Sequence, residues 1–166
     1  MDGDSISYTS VLTEGQVNQA AELLDSERPL KTQPPRRKRL LLAPFKVAAI
    51  NCGEVVGIAA IKTVEGVVGE AGFLTVRSDF RRQGIASTLT RLRIEHARTM
   101  GLHLLCANAR TTNAASKKLL LRSGYVYYGD FPSSFGSGIA ISWYFFVLKQ
   151  GCSPHALIQA IIGTPK

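Results

Sequence analysis

The sequence has few cysteines and histidines, and it contains no long apolar run. Cys52, Cys106 and Cys152 are odd in number and form no CxxC pair, so neither a disulfide framework nor a zinc site is predicted. The three histidines lack the spacing of metal ligands. No apolar stretch approaches the roughly 18 residues that a membrane span needs. We therefore expect a soluble, cytoplasmic protein without metal.

Length and charge limit the organisation of the chain. Its 166 residues, 45% of them hydrophobic, predict a single domain over 1–166, with a core of about 6–149 and a C-terminal extension, 150–166. The net charge of +8 is uneven, since residues 71–126 carry ten basic side chains against two acidic ones, a balance of +8. A basic segment of this kind favours binding of a polyanion, either a compact phosphate ligand or nucleic acid.

The apolar patterns predict an α/β (α+β) fold with a central mixed, twisted sheet of about seven strands flanked by helices. Thr13 and Gln16 predict a capping box at the start of the first helix, and "NCGE" (51–54) predicts a hairpin turn. "EAGFLTV" (70–76) is predicted as a strand, 84–100 as a long helix with Gly101 at its C′ position, and Asn113 to Ser123 as a short helix. "KTQPPRRKR" (31–39) is predicted as an exposed loop, and Pro154 begins a short C-terminal helix.

The turn "FRRQGIAS" (80–87) precedes the long helix and has an unusual charge. First helical turns normally favour acidic side chains, because the positive end of the helix dipole lies there, but this turn brings Arg81 and Arg82 instead. A helix start offers unpaired N–H groups to an anion, and Gly84 and Ala86 keep the approach open. The turn is therefore typical of a pyrophosphate site.

Two motifs make the chain resemble the GNAT superfamily of N-acetyltransferases over about residues 6 to 149. The first is a strand followed by R/Q-x-x-G-x-G/A and a long helix, matched by "FLTVRSDFRRQGIASTLTRLRIEHA" with Arg81, Gly84 and Ala86 in the fixed places. The second is an Asn that opens a short helix ending in Gly and an aromatic residue, matched by Asn113, Gly124 and Tyr125 in "NAASKKLLLRSGY".

The resemblance implies binding of acetyl-CoA as cosubstrate. Backbone groups at the end of the strand would pair with the pantetheine arm, the turn would hold the pyrophosphate, and the short helix would contact the arm and the ribose phosphate. The implied residues are Leu74, Thr75, Val76, Arg81, Arg82, Gln83, Gly84, Ile85, Ala86, Ser87, Asn113, Lys117 and Arg122.

Acetyl transfer by direct attack in a ternary complex needs a base, because a primary amine at neutral pH is mostly protonated. By the resemblance this base is Glu70, predicted at the start of the strand that leads to the turn. The family often uses a tyrosine on the second helix to assist departure of the thiolate, but Leu120 stands there in this chain. The general acid is therefore open among the neighbours Tyr125, Tyr127, Tyr128 and Ser123, and Tyr125 is the candidate for that role.

Two other functions remain open at this point. Leu120 is also compatible with a catalytically weak acyl-CoA sensor or scaffold. The run Arg36 to Arg39 is compatible with a nucleic-acid-binding module, but the sequence shows no RRM, zinc-finger or basic-zipper signature in support of it. The acceptor is a protein lysine, a protein N-terminus or a small-molecule amine, and the acyl chain length is undetermined. A homodimer that buries Leu157 and Ile161 is expected from the C-terminal helix.

Overall fold

The computed structural model describes residues 5–27, 36–132 and 138–162. The elements in chain order are β1 (Ser7–Thr9), α1 (Glu14–Glu27), α2 (Arg36–Leu42), β2 (Phe45–Asn51), β3 (Glu54–Glu65), β4 (Val68–Val76), a 3-10 turn (Ser78–Phe80), α3 (Ile85–Thr99), β5 (Leu104–Arg110), α4 (Ala114–Arg122), β6 (Val126–Phe131), β7 (Ile141–Val147) and α5 (Pro154–Ile162).

The seven strands form one mixed sheet in the order β1-β2-β3-β4-β5-β7-β6. All neighbours are antiparallel except β4 and β5, which are parallel. A parallel pair needs a long crossover, and α3 provides it between these two strands. The predicted seven-stranded mixed sheet flanked by helices is thus confirmed, and its parallel pair lies at the centre.

Helices cover both faces of this sheet. On one face, Leu89 of α3 packs with Leu105 of β5 and Tyr144 of β7 in the largest apolar cluster. On the other face, α1 and α2 pack over β2 and β3, and Ile158 of α5 packs against Phe145 of β7. The α5 apolar face, which was expected to form a dimer, is therefore used in part within the chain. The dimer itself stays a prediction.

Local sequence signals correctly predicted several element ends. The Thr13 N–H donates to Gln16 Oε1 at 3.0 Å, and the Gln16 N–H donates to Thr13 Oγ1 at 3.2 Å, which confirms the capping box. Gly53 turns the β2–β3 hairpin with a φ of 83°. Gly101 follows α3 with a φ of 72°, as a C′ glycine does.

The prediction of an exposed loop was wrong for Arg36 to Arg39. These residues begin α2, and Arg36 is buried, with its Nη1 donating to the Leu24 carbonyl of α1. Its Nε lies 3.2 Å from Asp25 Oδ1. A run of four basic residues can be helical here because α1 supplies acidic partners for it. Pro34 and Pro35 lie outside the described residues.

The position of Glu70 also differs from the prediction. Strand β4 begins at Val68, after a turn at Gly66 that the sequence reading did not identify. Glu70 is therefore an interior residue of a central strand rather than a strand-end residue. It lies opposite Thr63 of β3 and Cys106 of β5.

Candidate active site

The two parallel strands at the centre of the sheet pair over only part of their length. Their ladder runs from Val68 with Leu104 to Ala71 with Ala107. Beyond it β4 continues to Val76 and β5 to Arg110, and β5 stays paired with β7 throughout. The sheet therefore opens at its centre, between the ends of β4 and β5, which is where ligands bind in many α/β proteins.

A bulge in β4 lies at this opening. The register with β3 passes from Gly72, opposite Ala60, to Thr75, opposite Ile58, so that Phe73 and Leu74 face a single residue. Phe73 has a φ of 53°, an unfavourable value for a bulky side chain. Bulges and strained residues are frequent beside active sites, where they redirect backbone groups.

The turn after β4 is held in place by Arg81. Its Nε donates to the Val76 carbonyl at 3.0 Å, and its Nη2 pairs with Glu27 of α1. Gln83 Nε2 donates to the Asp79 carbonyl at 3.4 Å. Arg82 is exposed and has a φ of 63°. Of the two arginines that the sequence assigned to an anion, Arg81 also fixes the turn, while Arg82 points to solvent.

The start of α3 has the properties of an anion site. Gly84 is its N-cap, with a φ of 80° and no side-chain hydrogen bond to the first turn. A Cβ at Gly84 would meet no atom within 4 Å, so the backbone is open on this side. The first turn, Ile85 to Ser87, contains no acidic residue. Its N–H groups and the helix dipole favour a phosphate at this end.

A cleft of about 310 Å³ lies between α3, the residue after α4 and β7. It is lined by Ser87, Arg91, Ile94, Arg98, Ser123 and Phe146. Ser87 links this cleft to the anion site, and the Arg98 guanidinium lies 5.5 Å from the centre of the Phe146 ring. Sequence reasoning named Ser87 and Ser123 but missed the other four residues. The spacing of 87, 91, 94 and 98 places them on one helix face, a signal that could have been used.

The α4 residues assigned to a cofactor have structural contacts of their own. Asn113 is the N-cap of α4, and its Oδ1 accepts from the Ser116 N–H at 3.0 Å. Lys117 Nζ donates to the Thr111 carbonyl at 3.4 Å. Arg122 is exposed in the last turn of α4.

Glu70 has two polar neighbours. Lys62 Nζ of β3 lies 2.5 Å from its Oε1, and Asn108 Nδ2 of β5 donates to the same oxygen at 3.2 Å. Within the described residues no hydrogen bond reaches Glu70 Oε2, and the side chain is 27% exposed. Neither Lys62 nor Asn108 was predicted as a site residue. The arrangement holds the carboxylate in one position and leaves one oxygen accessible to an amine or a water.

The thiol beside Glu70 is unreactive. Burial, and then the negative charge of Glu70, raises the pKa of Cys106 to about 12. A thiol with such a pKa is protonated at neutral pH and is a poor nucleophile. Cys106 therefore does not favour an acetylated enzyme intermediate.

Tyr125 lies in the core and does not face the cleft. It is 2% exposed and packs edge-on against Phe146, with ring centres 5.5 Å apart. Its hydroxyl is buried and has no hydrogen-bond partner of good geometry among the described residues. Leu120, which stands where the family often has a tyrosine, is also buried. Direct contact between the Tyr125 hydroxyl and a ligand in the cleft is therefore not favoured.

The described residues contain no group of three or more metal-binding side chains. None of the helices given above is both long and apolar enough to cross a membrane.

The sequence matches the family model of the acetyltransferase (GNAT) family over residues 17–125. The chain belongs to this family.

Two relatives and two solved structures are informative. L-methionine sulfoximine/L-methionine sulfone acetyltransferases of Pseudomonas aeruginosa and Pseudomonas paraeruginosa are 37% identical over 93 residues, which is 54% of this chain and 54% of each relative. The match thus spans about half the length of these relatives. The structure of yncA from Salmonella typhimurium with acetyl-CoA has a TM-score of 0.75 at 17% identity, covering 91% of this chain and 98% of that one. The structure of the NatC complex bound to Gag peptide and CoA has a TM-score of 0.77 at 18% identity, covering 87% of this chain and 99% of that one.

Proposed function

We propose that the protein transfers the acetyl group of acetyl-CoA to the primary amine of a small molecule. The observation that supports this most strongly is the opening between β4 and β5 next to the uncapped start of α3. A strand-shaped slot that ends at an anion site matches a ligand with an amide-containing arm and a pyrophosphate.

Acetyl-CoA is proposed to bind along the end of β4. Its pantetheine arm would lie beside Leu74 to Val76, with its pyrophosphate on the N–H groups from Gln83 to Ser87. The nucleotide end would then extend toward the cleft beside α3, where Arg98 provides positive charge for a ribose phosphate and Arg91, which pairs with Glu95 at 2.7 Å, is a second candidate. Lys117 and Arg122 of α4 are further candidates for that phosphate.

Glu70 is proposed as the base. The neutral amine attacks the thioester carbonyl, the C–N bond forms and the C–S bond breaks with its electron pair on sulfur. The proton lost by the amine passes to Glu70 Oε2, directly or through a water. Backbone N–H groups of the β4 bulge are candidates for donors to the thioester oxygen. The proposed reaction needs no covalent intermediate on the enzyme.

For the acceptor we propose a small amine with an amino-acid character. The support is the 37% identity to the Pseudomonas enzymes that acetylate L-methionine sulfoximine and L-methionine sulfone. The Arg39 guanidinium lies 5.2 Å from the Phe73 ring centre, at the bulge. This places a positive charge near the opening, where it favours an acceptor that carries a carboxylate.

Thiol release from acetyl-CoA, followed in the presence of single amines, tests the function. L-methionine sulfoximine and L-methionine sulfone are the first acceptors, with an N-terminal peptide amine and a lysine peptide as comparisons. We expect amine-dependent release that is fastest with the amino acid analogues. Tight acetyl-CoA binding without release for any amine would instead support an acyl-CoA sensor.

The nucleic-acid alternative has lost its main support. Arg36 pairs with Asp25, Arg37 Nη2 lies 2.7 Å from Glu14 Oε1, and Arg39 packs over Phe73. Two of the four residues in the basic run, Arg36 and Arg37, thus pair with carboxylates of α1, which reduces the charge available for a phosphate backbone.

A further inference from the structure

Arg93 of α3 is a buried arginine without a carboxylate partner. It is 1% exposed, and no ion pair of the described residues includes it. Its Nη1 donates to the Gly72 carbonyl at 3.2 Å and approaches the Ala60 carbonyl at 3.5 Å, while its buried Nε has no partner of good geometry in the part of the chain that the structure describes. Because an uncompensated buried charge lowers stability, such a group is a candidate for a functional role.

A second buried polar group lies beside it. The Tyr125 hydroxyl is buried, and its hydrogen bond with Arg93 falls short of good geometry. Burial raises the pKa of this hydroxyl, and the Arg93 charge and this hydrogen bond offset part of the rise, so the two side chains contact each other. A buried arginine whose neighbour is a tyrosine and not a carboxylate is unusual in a native core.

The location of this pair connects it to the opening in the sheet. Gly72 is the first β4 residue beyond the ladder with β5, and the Phe73 bulge follows it. In a trans peptide the Phe73 N–H points away from the Gly72 carbonyl. The hydrogen bond from Arg93 to that carbonyl therefore polarises the peptide and strengthens its N–H as a donor on the opposite side.

We propose that Arg93, supported by Tyr125, is a positioning residue whose buried positive charge stabilises the negative charge that forms on the thioester during acetyl transfer. The inference rests on the proposed function, in which the pantetheine arm extends from the Gly84 turn past Val76 toward Gly72. Both side chains are covered by protein atoms, so they act through their field and through the Gly72 peptide. When the C–S bond breaks, the electron pair stays on the CoA sulfur, and the field of Arg93 favours that thiolate.

Neighbouring charges do not cancel this field. The titratable groups inside the sheet around Gly72, together with Tyr125, are Lys62, Glu70, Cys106 and Tyr144. Glu54, Glu65 and Arg110 are exposed at the ends of β3 and β5, where solvent and salt screen their charges. Glu70 is paired with Lys62. Burial raises the pKa of Cys106, Tyr125 and Tyr144, so all three are neutral at pH 7 to 9.

The ionisation of the CoA thiol, measured on the complex with unmodified protein, tests the proposal directly. If the separation between charge and sulfur is taken as about 8 Å and the effective dielectric constant as about 20, a single positive charge lowers the pKa of a thiol by roughly one to two units from about 8.5. Calorimetric titration with CoA and with desulfo-CoA, which has no thiol, isolates this effect. We expect the affinity for CoA relative to desulfo-CoA to rise about tenfold between pH 7 and pH 9.

Substitutions at Arg93 separate charge from hydrogen bonding. Arg93→Gln keeps a donor for the Gly72 carbonyl but removes the charge, whereas Arg93→Lys keeps the charge. We expect Arg93→Gln to lose the pH-dependent gain and to lower kcat by about tenfold or more, with desulfo-CoA affinity unchanged. Arg93→Lys should retain most of both. Tyr125→Phe should show a smaller loss of the pH-dependent gain and of kcat. Tyr127→Phe, at an exposed position on β6, is the matched control.

Two results would overturn the inference. In the first, the native protein binds desulfo-CoA but shows no preference for CoA that grows with pH. This result would mean that the CoA site is intact and that Arg93 does not have the proposed role. The other is an Arg93→Gln variant that keeps both the preference and kcat. If the Arg93 variants fail to fold, the titration of the native protein alone decides. Absence of desulfo-CoA binding would contradict the proposed function itself, and the inference with it.

Discussion

Replacement of Gly84 by glutamate is the sharpest perturbation of the proposed CoA site. Gly84 has a φ of 80°, and a Cβ there meets no atom within 4 Å. The expected cost to folding is therefore backbone strain alone, about 1 to 2 kcal/mol. The new carboxylate would occupy the open side of the α3 N-terminus and repel a pyrophosphate there.

Gly101 provides a matched control at the opposite end of the same helix. It has a φ of 72° and also has open space around its missing Cβ. Gly101→Glu should carry a similar strain, with a slightly larger loss of stability because its charge opposes the helix dipole. For a domain of this size each kcal/mol changes Tm by about 2 to 4 °C, so both variants should unfold a few degrees below the native protein.

The response to acetyl-CoA distinguishes the two variants. At about 100 times its Kd a ligand stabilises the native state by roughly 2.7 kcal/mol, an increase in Tm of about 5 to 10 °C. Differential scanning fluorimetry should show this increase for the native protein and for Gly101→Glu but not for Gly84→Glu. A full increase in Gly84→Glu would refute the placement of the pyrophosphate at this turn.

Three further predictions follow from individual contacts. Glu70→Gln should lower kcat by about 100-fold or more in the thiol-release assay while the acetyl-CoA Kd stays constant in calorimetry, and an unchanged kcat would remove Glu70 as the base. At pH 8 iodoacetamide should modify exposed Cys52 but reach Cys106 only after denaturation. Because the pKa of Cys106 is raised to about 12, the contribution of its neutral thiol to the free energy of unfolding should be complete below pH 9 and be lost as the pH rises toward 12. Cys106→Ala should not show this loss. Asn113→Ala should cost about 1 kcal/mol of unfolding free energy through loss of the α4 cap, and Asn113→Ser should restore most of it; equal stability of the two variants in urea titration would contradict the capping role.

Features that depend on neighbours in the chain could be predicted from the sequence. The Thr13 capping box, the turn at Gly53 and the glycine after α3 each follow from the local chemistry of a few residues. Apart from α2, the order of strands and helices follows from apolar periodicity, and the parallel pair follows from the crossover through α3. These local signals were sufficient to predict the fold and the position of the turn at Gly84.

Features that depend on contacts between distant residues could not be predicted. From the sequence alone Arg36 is expected to be exposed to solvent, because its partners, Leu24 and Asp25, lie on another helix. The ion pair of Lys62 with Glu70 depends on the register of β3 and β4, which the bulge at Phe73 changes. The burial of Arg93 depends on how α3 packs on the sheet, and a charged side chain on an amphipathic helix is normally expected at the surface.

Mass spectrometry of the acceptor after incubation with acetyl-CoA tests the central claim most directly. With L-methionine sulfoximine as acceptor, we expect one acetyl group on its amine, one CoA released for each acetyl transferred, and loss of both in Glu70→Gln. A protein that is saturated with acetyl-CoA yet leaves every amine unmodified would contradict the assignment of acetyl transfer to this site.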